Sequence, residues 1–258
     1  TVNFNIVHVF NFATYEITNG FVEKAHQLGI PIISSCIYWD YSYSIPPLHY
    51  FMGYPSHIGK FSVLFYRFLY KNVTAFLKRP RGVSREFKKY TQKFIDYSHF
   101  ILPNSIEEGN LLLDFAGIKK ADKIRVVYNG VELKDTQILP PELFFSKYKL
   151  PKDYILQVGR IEYLKNQLNL LYALREHINI PIVFIGQISD AKYGKRLHEI
   201  AQKRGNVFFL NKVPHDEIAS FYHYAALHVL LSLRESPGLV SMEAAAQGCP
   251  IVISTSEY

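Results

Sequence analysis

The chain has 258 residues, of which 48% are hydrophobic and 20% are charged, and this balance excludes a disordered polar tail. Its two cysteines, Cys36 and Cys249, lie far apart in the sequence, which argues against a disulfide scaffold or a cysteine-rich zinc site. The net charge of +7 is local, because residues 60–93 carry +9 and the rest of the chain carries −2.

The first half of the chain alternates short apolar runs with amphipathic stretches, which predicts strands alternating with helices. Ser105 and Glu108 have the spacing of a capping box at the start of one such helix, and Gly117 ends it. A segment over 38–59, rich in tyrosine and proline, is predicted to be irregular. The predicted strands are 5–10, 31–37, 100–103 and 123–127, and the predicted helices are 18–28, 60–77, 84–94 and 106–116.

A second alternating series follows a Pro140-Pro141 pair. Strands joined by helices of 10 to 14 residues favour right-handed crossovers and a parallel sheet. We therefore predict an α/β fold of two Rossmann-like domains with parallel sheets, both incomplete: residues 1–137, a linker over 138–150, and residues 151–258. The predicted strands are 154–158, 181–185, 207–210, 227–231 and 250–254, and the predicted helices are 166–177, 190–203, 215–225 and 237–247.

The first candidate cluster follows the first strand of this second series. Gly159 lets the chain turn sharply, and Arg160 and Lys165 then lie in a loop before a helix that Asn166 is placed to cap. Two cations at the carboxyl end of a parallel strand suit a ligand that bears phosphate. The alternative is a plain turn with two solvated cations.

The second cluster surrounds a predicted helix start, with Ser236 as its cap and Pro237 as its first residue. The free N–H groups near Gly238 would attract an anion. Glu235 and Glu243 would lie about 10 Å or more apart, so they could accept from hydroxyls on either side of a bound diphosphate. The alternative is a capped helix with an incidental acid.

Two weaker signals remain. The Asn211–Pro214 segment, with Lys212 and Val213, follows another strand and could wall a planar base, although the residues alone favour a simple loop. Residues 60–93 combine aromatic and basic side chains, which fits an anionic membrane surface or an anionic acceptor as well as an ordinary helix with a solvated basic face. The ten histidines lack zinc-ligand spacing, and no nucleic-acid-binding motif is present.

Together these motifs resemble the retaining glycosyltransferases of the GT-B fold, specifically family four. The resemblance covers most of the chain and is strongest from Tyr154 onward, where the acidic pair matches the family's Glu-x7-Glu motif. Four motifs in the right order after Tyr154 make it specific. The matching segments are Val127–Val131, Val158–Arg160 with Lys165-Asn166, Ile185-Gly186, Lys212–Pro214 and Glu235–Pro250.

The resemblance implies a catalytic role for Arg160, Lys165 and Glu235. The two cations would hold the donor diphosphate, Glu235 would contact the transferred sugar, and Glu243 would accept from the ribose. No metal would be required, because two cations can replace one. The implied donor-binding set is Gly159, Arg160, Lys165, Lys212, Val213, Glu235, Gly238, Leu239, Val240 and Glu243.

The implied activity is transfer of a sugar, with retained configuration, from a nucleotide-diphosphate sugar to a glycan or lipid-linked acceptor. The enzyme would act in the cytoplasm in making a surface polysaccharide or glycolipid, and a peripheral position on the inner face of the plasma membrane stays open. A nucleotide-sugar 2-epimerase of the same fold is the alternative. A nucleic-acid binder using residues 60–93 ranks last, so we predict no nucleic-acid partner.

The sequence departs from the family pattern in two places. Ser236-Pro237-Gly238 stands where Gly-Phe-Gly is commonest, although the glycine that starts the helix is kept. Ile37–Asp40 contains no histidine where the family often has one, which leaves the acceptor mode open. Because the chain opens with Thr1 and stops soon after a predicted strand, we expect both ends to be cut from a longer protein and this chain alone to be inactive.

Overall fold

The computed structural model describes residues 4–12, 15–38, 85–117, 122–132, 137–235 and 237–254. The chain divides into two compact units, Thr1–Tyr128 and Asn129–Tyr258. Each unit contains a sheet whose strand pairs are all parallel, as the alternating pattern predicted. None of the helices in these ranges has the length and apolar character needed to cross a bilayer.

The first unit has a three-stranded sheet in the order β1-β2-β3, with apolar helix faces packed against it. The serine half of the predicted capping box is present, since Ser105 Oγ accepts from the backbone N–H of Glu108 at 3.0 Å. The Glu108 carboxylate does not complete the box, because it accepts from the N–H of Asn104 at 2.6 Å instead. The predicted strand over 123–127 runs beside β3 but forms only one isolated bridge, between Ile101 and Ile124. The elements are β1 (Val7–Phe10), α1 (Tyr15–Gln27), β2 (Ile32–Ser35), α2 (Arg85–Tyr97), β3 (Phe100–Ile101) and α3 (Ile106–Ala116).

The second unit has a five-stranded sheet in the order β6-β5-β4-β7-β8. The strand order reverses between β4 and β7, and ligands of open α/β sheets bind in the crevice at such a reversal, outside the carboxyl ends of the strands. The elements are α4 (Pro141–Tyr148), β4 (Ile155–Val158), a short 3₁₀ helix (Tyr163–Lys165), α5 (Gln167–Ala173), β5 (Ile182–Ile185), α6 (Ala191–Arg204), β6 (Val207–Leu210), α7 (Ile218–Tyr224), β7 (Leu227–Leu230), α8 (Leu239–Ala246) and β8 (Ile251–Ile253).

The predicted linker over 138–150 contains helix α4, which belongs to the core of the second unit. Phe144 is fully buried there, with its ring centroid 4.9 Å from those of Phe221 and Tyr224. Tyr224 also donates to the carbonyl of Leu139 at 2.6 Å. The Pro140-Pro141 pair that suggested an irregular connection therefore starts a helix, because proline is tolerated in the first helical turn.

Candidate active site

The candidate site begins where β4 and β5 end side by side. The N–H of Gly159 donates to the carbonyl of Ile185 at 2.9 Å, and the N–H of Ile161 donates to that of Gln187 at 2.8 Å. Gly186 has a φ of +152°, and a Cβ at this position would lie 2.0 Å from the carbonyl oxygen of Gly159. The two turns therefore approach so closely that only glycine fits at position 186.

Lys165 lies across the start of this loop and reaches the segment that follows β7. Its stem carbons would lie 3.8 Å from a Cβ placed on Gly159, and its Nζ donates to Glu235 Oε2 at 2.6 Å. The two side chains are only 17% and 26% exposed. Ser232, which is buried, donates its hydroxyl to the same carboxylate oxygen at 2.8 Å. Lys165 and Glu235, predicted separately from two motifs, are therefore in direct contact.

Backbone and amide hydrogen bonds tie the two loops together. Asn166 Nδ2 donates to the carbonyl of Leu231 at 3.1 Å, and the N–H of Leu233 donates to the carbonyl of Leu164 at 2.8 Å. The prediction that Asn166 caps the following helix with its side chain is wrong, because its backbone is left-handed and its amide binds Leu231 instead. These bonds fix the position of Lys165 relative to β7.

Two buried glutamines hold the loop that carries Arg160 and Lys165 through hydrogen bonds to its backbone carbonyls. Gln157, on β4, donates its amide to the carbonyl of Lys165 at 2.7 Å. Gln167, at the start of α5, donates to the carbonyl of Arg160 at 2.8 Å. Sequence reasoning missed both. The signal for Gln157 was one polar residue inside the otherwise apolar strand Ile155–Val158.

Arg160 is not part of the Lys165–Glu235 contact. Its guanidinium lies 3.0 Å from Glu162 Oε1, and its side chain is 66% exposed. It occupies the same loop as Lys165, so the loop carries one exposed cation and one that is mostly buried.

The helix start after β7 lies next to Glu235. Gly238 is the N-terminal residue flanking α8, with a φ of +71°, and a Cβ there would lie 3.1 Å from Glu235 Cγ. The helix begins at Leu239, so the prediction that Pro237 is its first residue is wrong; the predicted cap Ser236 lies outside the described residues. The first N–H groups of a helix have no intrahelical acceptor, and here they belong to Leu239 and Val240.

Glu243, inside α8, is held by a residue that sequence reasoning missed. Tyr222 donates its hydroxyl to Glu243 Oε2 at 3.0 Å and is itself only 1% exposed. Burial, together with this carboxylate, raises the pKa of the Tyr222 phenol far above its usual value, so the hydroxyl stays a donor. His228, on β7, lies 3.2 Å from Ser241 Oγ on the same helix.

Lys212 and Val213 follow β6 at the same edge of the sheet. The N–H of Gly186 donates to the carbonyl of Leu210 at 2.9 Å, so the turn after β5 also meets the end of β6. Lys212 is exposed, while Val213 packs against the core. The loops after β4, β5, β6 and β7 thus share one edge of the second sheet.

The basic segment and the question of a metal site can be compared with the structure only in part, because some residues lie outside the described ranges. Of the basic segment 60–93, residues 60–84 lie outside the described residues, and Lys93 on α2 forms an ion pair with Glu23. Among the described residues, no group of three or more histidine, cysteine, aspartate or glutamate side chains is placed to hold a metal ion.

Comparison with known proteins identifies relatives of both the sequence and the fold. Residues 141–258 match the family described as glycosyl transferases group 1. Over 170 residues the chain is 31% identical to the D-inositol 3-phosphate glycosyltransferase of Streptomyces bingchenggensis. That match covers 59% of this chain but only 37% of the relative, so the chain spans well under half of that protein.

Solved structures resemble nearly the whole chain. Sucrose-phosphate synthase from Thermosynechococcus elongatus has a TM-score of 0.67 at 16% identity, covering 98% of this chain and 56% of that one. Anabaena HepE in complex with UDP and glucose has a TM-score of 0.59 at 15% identity, covering 97% of this chain and 80% of that one. These likenesses confirm the predicted GT-B fold.

Proposed function

We propose that this chain, whose residues 141–258 belong to the glycosyl transferases group 1 family, carries the donor site of a retaining glycosyltransferase. The substrate is a nucleotide-diphosphate sugar, and the acceptor is a glycan or a lipid-linked glycan. The observation that carries the proposal is the contact of Lys165 with Glu235 beside Gly238, at the strand-order reversal between β4 and β7.

The diphosphate binds between Lys165 and the start of α8. Lys165 supplies a compact positive charge, and the N–H groups of Leu239 and Val240 supply donors at the positive end of a helix dipole. Arg160, at the exposed edge, adds a forked donor for the same oxygens. Gly238 permits close approach because it has no side chain.

Bond cleavage leaves negative charge on the departing diphosphate while the sugar gains oxocarbenium character. Donors that are already in place stabilise that charge without reorganising as the reaction proceeds. Lys165 is preorganised in this way by Gln157 and by the loop ties, so it is the main stabilising group. Two cations and a helix start can carry out this role without a metal.

The two glutamates bind the two ends of the donor. Glu235, next to the diphosphate site, accepts from hydroxyls of the transferred sugar. Glu243, about one turn into α8, accepts from the ribose. Tyr222 fixes one oxygen of Glu243 and leaves the other for the ligand. HepE, a structural neighbour, was solved with UDP and glucose, which supports a uridine nucleotide as the first donor to test.

The acceptor and cellular setting follow from the same proposal. Assembly of a surface polysaccharide or glycolipid takes place where nucleotide sugars are available, on the cytoplasmic side. The basic segment 60–93, if it faces an anionic membrane, would place the enzyme at the inner face of the plasma membrane.

The test measures donor binding by calorimetry with the intact protein, using UDP, GDP and ADP sugars. We expect Lys165→Met and Glu243→Gln to weaken binding of the preferred donor about tenfold or more, since each loses a charged hydrogen bond. Tyr222→Phe should weaken it by a smaller factor. Lys147→Met is the matched control, because Lys147 forms a 2.6 Å ion pair with Glu217 and neither residue belongs to the proposed donor-binding set. Unchanged donor affinity in Lys165→Met, Glu243→Gln and Arg160→Ala together would refute the site.

A further inference from the structure

Lys165 already has an anionic partner before any phosphate arrives. Its Nζ lies 2.6 Å from Glu235 Oε2, and both side chains are mostly buried. An ion pair with little exposure is weakly screened by water and salt, so it is stronger than a surface pair. A diphosphate that binds Lys165 must therefore displace or share this carboxylate.

We propose that Glu235 competes with the donor diphosphate for Lys165, so that the site favours a sugar-bearing nucleotide over the bare nucleoside diphosphate. This inference rests on the function proposed above and deepens it. It makes Glu235 a residue that selects substrate over spent product, in addition to its contact with the sugar.

The selection follows from what happens to the carboxylate when Lys165 turns to phosphate. Glu235 loses its cationic donor while remaining largely buried, and a second negative group arrives nearby. A charged group in that position costs free energy unless new donors reach it. Hydroxyls of a transferred sugar supply such donors. A bare nucleoside diphosphate has no transferred sugar and so offers Glu235 no such hydroxyls. Its binding therefore carries the whole free-energy cost of leaving the carboxylate without Lys165.

Ser232 keeps the carboxylate in place during this exchange. Its hydroxyl donates to Glu235 Oε2 at 2.8 Å, and its own carbonyl accepts from Ser254 Oγ at 2.6 Å. Ser232 is 4% exposed, so it has little freedom to move. Gly238 lies against the stem of Glu235, since a Cβ at this position would be 3.1 Å from Glu235 Cγ. Glu235 therefore stays directed at the crevice after Lys165 changes partner.

The experiment compares Glu235→Gln with the wild type in the intact protein, titrated by calorimetry with UDP and with UDP-glucose, and likewise with the GDP and ADP pairs. Glutamine keeps the shape and the bond to Ser232 but removes the charge. We expect the bare diphosphate to bind about three to ten times more tightly in the variant. The sugar nucleotide should bind no more tightly than to the wild type, so the preference for it shrinks.

Two controls separate this effect from a general change in charge. Glu217→Gln removes the same charge from an ion pair of the same length, with Lys147, and should alter neither affinity. In a Lys165→Met background, Glu235→Gln should tighten diphosphate binding much less than in the wild type, because the ammonium for which the carboxylate competes is absent and only like-charge repulsion is relieved.

The outcomes distinguish this inference from the proposed function. If the wild type binds a nucleoside diphosphate and Glu235→Gln leaves that affinity unchanged or weaker, the competition is refuted while the donor site stands. Tightening that is equally large in the Lys165→Met background also refutes it. If the wild type binds none of the UDP, GDP and ADP compounds, the proposed function fails and this inference fails with it.

Discussion

Acid should destabilise the second unit through one histidine. His228 is fully buried on β7, with Nε2 3.2 Å from Ser241 Oγ, and burial lowers its pKa from 6.5 to about 4. Burial disfavours the charged imidazolium, so the folded protein keeps His228 neutral where the unfolded chain would already bind a proton. Between pH 6.5 and 4 the unfolded state therefore binds more protons, and stability falls as the pH falls.

The size of the effect follows from the two pKa values. At pH 7 the histidine is neutral in both states and costs nothing. By pH 4.5 the difference amounts to about 2–3 kcal/mol, and it levels off between about 3 and 4 kcal/mol well below pH 4. This is a large part of the stability of a typical domain.

Native-state hydrogen exchange of the β7 amides, measured at pH 7 and pH 4.5, reports the opening free energy of this unit. The wild type should lose about 2–3 kcal/mol more than His228→Leu over this interval. The leucine variant leaves Ser241 without its partner at every pH, so the comparison uses the slope and not the absolute stability. His223→Gln, which replaces an exposed histidine on α7, should keep the wild-type slope. Equal slopes in wild type and His228→Leu would refute the reasoning.

Two further substitutions test the packing of each unit. Gly186→Ala should destabilise the second unit by about 3 kcal/mol in urea unfolding, because its methyl group meets the carbonyl of Gly159. Gly205→Ala is the control, since Gly205 has a positive φ but open space around it, and it should cost only about 1 kcal/mol. Similar costs for the two variants would contradict the close approach at Gly186. Glu108→Ala should cost about 3 kcal/mol, because the buried carboxylate accepts from the N–H groups of Tyr38 and Asn104. Glu108→Ala should also speed alkylation of Cys36 in the native protein, measured by mass spectrometry, because burial and Glu108 raise the pKa of the Cys36 thiol. Glu107→Ala, at an exposed position, is the control. Equally slow labelling in both variants would contradict the role of Glu108.

The features predicted well from sequence are those with local signals. Alternating apolar runs gave the parallel sheets, because each strand and helix buries one face that its own sequence displays. The capping box at Ser105 needs only a residue three positions away. The two clusters around Lys165 and Glu235 were found because each follows a strand, and carboxyl ends of parallel strands share one edge.

The features missed depend on partners distant in sequence. Asn166 has the composition of a helix cap, but its amide binds Leu231, 65 residues away. Tyr222 reads as one more core aromatic until Glu243 is placed beside its hydroxyl. Helix α8 begins at Leu239 because Gly238 adopts a left-handed conformation. Proline at position 237 indicates an earlier helix start and does not predict that conformation. No spacing rule contains the contacts of Asn166 and Tyr222, since the first arises only when β4 and β7 lie side by side and the second only when α7 packs against α8.

Two buried glutamines hold the Lys165 loop in place at a cost in stability. Gln157 and Gln167 each use an amide N–H to hold the Lys165 loop, while their Oε1 atoms, within the described part of the chain, are buried without a hydrogen-bond partner. An unpaired buried amide oxygen costs about 1–3 kcal/mol. An apolar strand residue at 157 would avoid that cost but would leave the carbonyl of Lys165 without its donor. Gln157 and Gln167 therefore hold the Lys165 loop at the expense of core stability, which fits the role proposed for Lys165 as a cation that is in place before charge develops on a leaving group.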